Sequence, residues 1–158
     1  MSLIRRAQEK DIPRVLELLV QVNMVHHIDR PDLFKGPTTK YNGEELKEIF
    51  RNDDTPVFVF EDENGIVQGH CFAEIQRTEN PRLLVEHDTF YIDDICVEET
   101  ARGQHIASRL FAYAKEYAVK IGCYNITLNV WAGNKAARAF YESCGMAPQK
   151  TVMELILK

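Results

Sequence analysis

Between Asp88 and Gly122 the hydrophobic period of the chain switches once, within a few residues. Residues 88–99, DTFYIDDICVEE, read as a strand. Residues 102–121 then place Ile106, Leu110, Ala114, Tyr117 and Ile121 on one helical stripe, which Gly122 stops. The next run, YNITLNVW at 124–131, alternates like a strand. A strand, a helix and a strand joined this tightly leave few topologies. The second strand is expected to lie parallel to the first, through a right-handed crossover. Helix 134–145, capped by Asn134 and closed by Gly145, and a last strand at 147–157 complete this half.

The first half reads differently. Residues 2–7 form a short strand, and 11–25 a helix with Ile12, Val15, Leu18, Leu19 and Val22 at helical spacing. Residues 26–42, with two prolines and a glycine, read as a long loop. Residues 43–52 form a second helix. Residues 56–62 and 66–76 pair as a β-hairpin across Glu63-Asn64-Gly65. The order β-α-α-β-β-β-α-β-α-β implies an α/β (α+β) architecture, a mixed sheet with helices on its faces.

Length and charge narrow the class. The 158 residues suffice for a single domain, 1–158, with a proper core. No apolar run approaches a bilayer span, and the N-terminal stretch lacks an apolar signal region. Cys71, Cys96, Cys123 and Cys144 sit in apolar segments without metal-ligand spacing. They read as buried free thiols of a reducing, cytoplasmic compartment, with no metal. The net charge of −5 argues against nucleic acid or an anionic membrane as a partner and suits a cationic one.

ETARGQHIASRL, at 99–110, carries the chemistry. A helix N-terminus leaves unpaired N–H groups and about half a positive charge, so it can hold a phosphate. Gly103 and Ala107 are small, Arg102 and Arg109 are cations, and Ser108 offers a hydroxyl. The stretch matches neither the NTPase P-loop nor the dinucleotide fingerprint.

YIDDICVEETARGQHIASRL followed by ITLNVWAGNKAARAFYESCGM resembles the GNAT superfamily of acetyl-CoA-dependent N-acetyltransferases. Arg102 and Ala107 stand at the ends of that family's Q/R-x-x-G-x-G/A motif. Asn134, Ala137, Phe140, Tyr141, Gly145 and Met146 follow its later signature. The resemblance implies the acyl-CoA N-acyltransferase fold, a mostly antiparallel sheet of six to seven strands flanked by four helices. It also implies that acetyl-CoA is the co-substrate. Ile95, Cys96 and Val97 would then line the pantetheine arm. Arg102, Gly103, Gln104, His105, Ile106, Ala107 and Ser108 would surround the pyrophosphate, and Asn134 and Ala137 would contact the arm. His105 replaces the usual glycine, at a position that reads as helical and so free of any need for positive φ.

The resemblance makes Tyr141 the general acid for the leaving thiolate. Asn134 and Tyr141 share a helix face, with Ala136 and Cys144 expected on the buried side. For the base, Asp93 ranks first, Glu74 second, and a water chain is the alternative. Asp93 and Asp94 are neighbours in a strand and are expected to point to opposite faces. The resemblance implies a primary amine of a small molecule or a peptide as acceptor, with His26, His27, Asp29 and Asp32 as candidate contacts. Asp32 and Arg30 equally suit local turn contacts, and Phe34 and Tyr41 suit loop anchors. Family relatives suggest a possible homodimer. The alternative function is a non-catalytic acyl-CoA-binding module; the phenol of Tyr141 discriminates, because a mere binder has no use for it.

Overall fold

The computed structural model describes residues 1–158. Its strands are β1 (Leu3–Arg6), β2 (Val57–Glu61), β3 (Val67–Arg77), β4 (Asp88–Val97) and β5 (Asn125–Leu128). Its helices are α1 (Ile12–Asp29), α2 (Gly43–Arg51), α3 (Ile106–Lys120) and α4 (Lys135–Ser143). The sheet order is β1-β2-β3-β4-β5. All neighbours are antiparallel except β4 and β5, which are parallel. The expected parallel pairing of the two strands joined through α3 is therefore present, and the expected mixed sheet with four helices is the fold.

Both faces of the sheet are covered, and β2 shows why its sequence is continuously apolar. Phe58 and Phe60 pack with Leu110, Phe111 and Ala114 of α3. Val57 and Val59 pack with Val15, Leu18 and Leu19 of α1 and Leu46 of α2. A strand buried on both sides has no solvent face to leave polar. Each such side chain contributes about 1.5–3 kcal/mol relative to exposure. At the β1–α1 corner, Arg5 Nη1 donates to Asp11 Oδ2 at 2.7 Å and Arg5 Nη2 donates to Glu61 Oε2 at 2.7 Å. Burial pushes the Asp11 carboxyl up, but its hydrogen bonds from Arg5 and from the Gln8 N–H outweigh that and hold it low.

Several boundaries differ from the sequence reading. α1 runs on to Asp29, so His26, His27 and Asp29 are helical rather than in a loop. The stop comes at Arg30, before Pro31, where the α region is disfavoured. Residues 147–157 form no strand, although their pattern suits one, because no strand of the chain pairs with them. The sheet accordingly has five strands rather than six or seven. Among the cysteines only Cys71 and Cys96 are buried; Cys123 and Cys144 are half-buried, and all four are free. On α4, Ala136 is exposed, and the inward side is formed by Ala137, Phe140, Tyr141 and Cys144.

Candidate active site

The site begins where two parallel strands part. β5 pairs with β4 only from Thr89 to Ile92. Beyond Ile92, β4 continues to Val97 without a neighbour on that side. The parting coincides with a bulge: Phe72 opposes Asp94 and Ala73 opposes Ile92, so Asp93 is the extra residue. The bulge turns the strand over. Phe90 and Ile92 belong to the α3 cluster, whereas Cys96, an even number of residues further on, belongs to the α1/α2 cluster. The expectation that Asp93 and Asp94 take opposite faces fails here, because strict alternation needs an unbroken ladder.

The free edge of β4 offers defined groups. The Glu98 N–H donates to the Gln68 carbonyl at 2.8 Å. Bonded and non-bonded pairs alternate in an antiparallel ladder, so His70–Cys96 and Phe72–Asp94 are the bonded pairs in this register. Ile95 and Val97 therefore turn their N–H and C=O groups outward, to the open side. The Val97 oxygen accepts from Gln21 Nε2 at 2.8 Å, as that orientation allows. Cys96 offers nothing to this edge. Its backbone faces β3, and its thiol donates to the Leu18 carbonyl at 3.4 Å inside the core.

A second donor array follows. The backbone N–H groups from Gly103 through Ser108 have no hydrogen-bond partner within the chain, and α3 has no side-chain cap. The first helical bond is that of the Arg109 N–H to the His105 carbonyl, 3.1 Å. Gly103 has φ 86° and His105 has φ 60°. Left-handed residues among right-handed ones curl successive N–H groups into an anion-binding concavity. The helical reading of His105 is thus wrong. The residue is the left-handed N-cap, and α3 begins at Ile106 rather than at residue 102. Glycine would suit position 105 because of φ as well as size. His105, Gln104, Gly103, Arg102 and Ser108 are exposed, Ala107 is half-buried and Ile106 is buried. Arg109 is directed elsewhere: its guanidinium lies 4.8 Å from the Phe60 ring centroid and donates to Ser2.

α4 closes the crevice. The Asn134 side chain accepts from the Ala137 N–H at 3.1 Å, the expected cap. Tyr141 is half-buried against Phe140 and Phe111, with ring centroids at 5.1 and 6.3 Å. Its hydroxyl makes no hydrogen bond within the chain and is not sealed from solvent. Burial, with Cys71 and Asp94 nearby, pushes its pKa far above that of free tyrosine, so it keeps its proton at neutral pH.

The carboxylates sort differently from the sequence ranking. Asp93 Oδ2 accepts from Lys40 Nζ at 2.9 Å. Glu74 is exposed on β3, opposite Tyr91. Asp94 is the secluded one: its Oδ2 is sealed and unpartnered, 3.6 Å from His70 Nδ1. Burial first, then the charge of Asp93, raises its pKa to about 7. His70 is fully buried, neither ring nitrogen has a partner, and burial drives its pKa down to about 3. The pattern of the sequence did not single out Asp94 or His70; only the bulge reveals which aspartate turns inward.

The candidate acceptor residues divide as well. His26 stacks on Phe34 at 5.0 Å, and Phe34 meets Trp131 edge-on at 5.5 Å. Burial lowers the pKa of His26 against the pull of Asp29 and Asp93, which keeps it neutral. His27 Nδ1 lies 2.7 Å from the Phe34 carbonyl and anchors the loop. Asp32 is held by Arg30 at 2.7 Å. Asp29 presses against Gly133, where even a Cβ would collide with its carboxylate. Tyr41 stacks on Phe72, and Asn129 Nδ2 donates to Tyr91 Oη at 3.2 Å. The structure thus groups His26, Asp29, Asp93, Tyr91 and Trp131 around one wall, while His27 and Asp32 serve the loop.

Residues 22–146 match the profile of the family described as acetyltransferase (GNAT) family. The chain belongs to that family. A solved mutant of protein BH1408 from Bacillus halodurans is 31% identical, with a TM-score of 0.94 over 99% of this GNAT chain and 99% of that one. A glucosamine 6-phosphate N-acetyltransferase of Arabidopsis thaliana is 29% identical over 63 residues; the match spans 40% of this chain and 40% of that relative's length. A crystal structure titled as glucosamine-6-phosphate N-acetyltransferase from the same plant shares the fold, at TM-score 0.73 and 22% identity, covering 100% of this chain and 99% of that one. An aminoglycoside N-acetyltransferase solved in complex with CoA does so at TM-score 0.75 and 17% identity, over 99% of this chain and 94% of its own. No cluster of three or more His, Cys, Asp or Glu groups is arranged to hold a metal.

Proposed function

We propose that this GNAT chain is an acetyl-CoA-dependent N-acetyltransferase acting on a primary amine of a small molecule or peptide in a ternary complex. The observation that carries this reading is the continuity of two unpaired donor arrays. The outward N–H groups of Ile95 and Val97 lead to the N–H groups of Gly103 through Ser108, and Tyr141 presents a free hydroxyl. A pantetheine arm is a polyamide that adds to a strand edge, and a pyrophosphate suits an uncapped helix start. The residues present therefore fit the coenzyme, with Arg102, which makes no ion pair, beside the phosphates and Asn134 and Ala137 beside the arm.

Acetyl-CoA supplies the activated thioester. Tyr141 Oη carries the proton that the departing sulfur requires. A base must take the proton of the attacking amine, and its pKa should lie near the working pH. Asp94 meets that condition by burial. Asp93, paired to Lys40, and Glu74, exposed, are suited to attracting a cationic acceptor. Asp29 and His26 complete that wall.

The test is release of free thiol from acetyl-CoA across a panel of amines. The panel includes glucosamine 6-phosphate, polyamines, aminoglycosides, amino acids and peptides. Turnover of at least one amine is expected. Tyr141→Phe is expected to lower kcat by about 10²–10⁴ while CoA affinity stays as it was. CoA binding without turnover on any amine would instead establish the non-catalytic binding module.

A further inference from the structure

Three polar atoms beside the site are sealed from solvent without a hydrogen-bond partner: both ring nitrogens of His70 and Oδ2 of Asp94. Buried polar groups are nearly always paired, so orphans of this kind need a reason. The ladder explains how they meet. His70 and Phe72 are two residues apart on β3 and share a face. Phe72 stands opposite Asp94, so Asp94 turns to that same face, diagonal to His70. The bulge at Asp93 sets this register.

Packing does not account for the imidazole. Phe72 meets it edge-on at 4.9 Å, and Val15, Leu18 and Leu19 of α1 share the core of Phe72 and Cys96. An apolar side chain would fill the place without burying two polar nitrogens. The one carboxylate that the ring meets is Asp94, with Nδ1 at 3.6 Å from Oδ2. That separation is a contact rather than a hydrogen bond, and a movement of about half an ångström closes it. Catalytic hydrogen bonds are often long in a free site and tighten once the reactants are bound. The two oxygens of Asp94 differ. Oδ2 is sealed, whereas Oδ1 is not, and the side chain keeps 17% exposure.

We propose that His70 is a positioning residue for Asp94: the neutral imidazole donates its Nδ1–H to Oδ2 and so aims Oδ1 at the attacking amine. The proposal rests on Asp94 as the base of the acetyl transfer. The N–H bond of the amine breaks, its proton joins Oδ1, and its electron pair stays on the nitrogen. His70 keeps its own proton on Nδ1 throughout, because Oδ2 remains an acceptor whether or not Oδ1 is protonated. Burial drives the pKa of His70 down to about 3, so the ring does not charge near neutral pH. Around Asp94, burial and the charge of Asp93 raise its pKa and Lys40 lowers it. Tyr41, Tyr141, Cys71 and Cys96 all have raised pKa values and stay protonated beside it.

Carboxyl 13C titration of the full chain reads Asp94, with Asp94→Asn assigning the signal. A donor to a charged acceptor is worth roughly tenfold or more in proton affinity, so His70→Leu should raise the Asp94 midpoint by about one pH unit or more. His70→Asn, which places an N–H near the position of Nδ1, should titrate close to wild type. The acid limb of kcat/KM for a turned-over amine should move with the titration in His70→Leu and return in His70→Asn. The ionisation of the amine itself is common to all three proteins. An unmoved midpoint overturns the proposal, and so does a midpoint that moves while the limb stays still. Imidazole 15N spectra of wild type need no variant to fold: a proton on Nε2 rather than Nδ1 above the Asp94 midpoint also overturns it. Titration and tautomer decide the pair even if no amine is turned over, in which case the acetyltransferase reading has failed separately.

Discussion

Replacing Asp94 by asparagine isolates the cost of a secluded carboxylate. The Asp94 carboxyl has an ordinary pKa of 3.8 and, by burial, one of about 7 in the folded chain. Between those values the folded state holds a proton that the unfolded state has released. Stability therefore falls as pH rises. The contribution is fully present below about pH 4 and is lost as pH climbs through about 7. The gap is about three pH units, at about 1.36 kcal/mol each, so the whole effect is of order 4 kcal/mol. Asparagine keeps the shape and cannot ionise. Urea unfolding of wild type and Asp94→Asn from pH 4.5 to 8.5 measures it. The difference, variant minus wild type, should grow in favour of the variant up to about pH 7 and then level off. Taking the difference cancels Asp11, whose lowered pKa acts in the opposite sense. Parallel curves would refute the argument.

Two further outcomes follow from the backbone. His105→Gly removes a left-handed non-glycine residue and should raise stability by about 0.5–1 kcal/mol, the relief exceeding glycine's entropy cost. Thermal unfolding reads this, and an unchanged KM for acetyl-CoA would show that the imidazole stands clear of the coenzyme. Gly69→Ala places a Cβ 3.0 Å from the Cys96 carbonyl oxygen and 3.2 Å from both Ile106 and Leu110. Overpacking there should cost about 1–3 kcal/mol in denaturant unfolding; a neutral result would mean that α3 sits more loosely on the sheet than its contacts show.

The second half of the chain was the more legible part. The period change at 88–121 and the Asn134 cap are local signals, and the structure keeps both. The start of α3 was legible from Arg102, Gly103 and Ala107 as a stretch of small and cationic residues, though not its left-handed turn. A histidine at positive φ has no pattern that announces it. The bulge at Asp93 was invisible for a related reason. Alternation in sequence predicts faces only where the ladder is unbroken, and one unpaired residue changes the faces that Asp93 and Asp94 take. The segment at 147–157 was misread because its pattern is correct for a strand while no strand of the chain pairs with it. The loop after α1 was legible in its anchors, Phe34 and Tyr41, but hidden in the helical placement of His26 and Asp29.

The start of α3 is built against its own interest. A serine or aspartate cap would stabilise it by about 0.5–2 kcal/mol, and a glycine at 105 would ease the turn. The chain has neither, so this uncapped turn is a weak point of the fold. Whatever anion settles there supplies the missing cap, and tightening of the helix and occupancy of the crevice become a single equilibrium. Scarcity of that anion would then show itself first as a shorter-lived protein, before any question of catalytic rate arises.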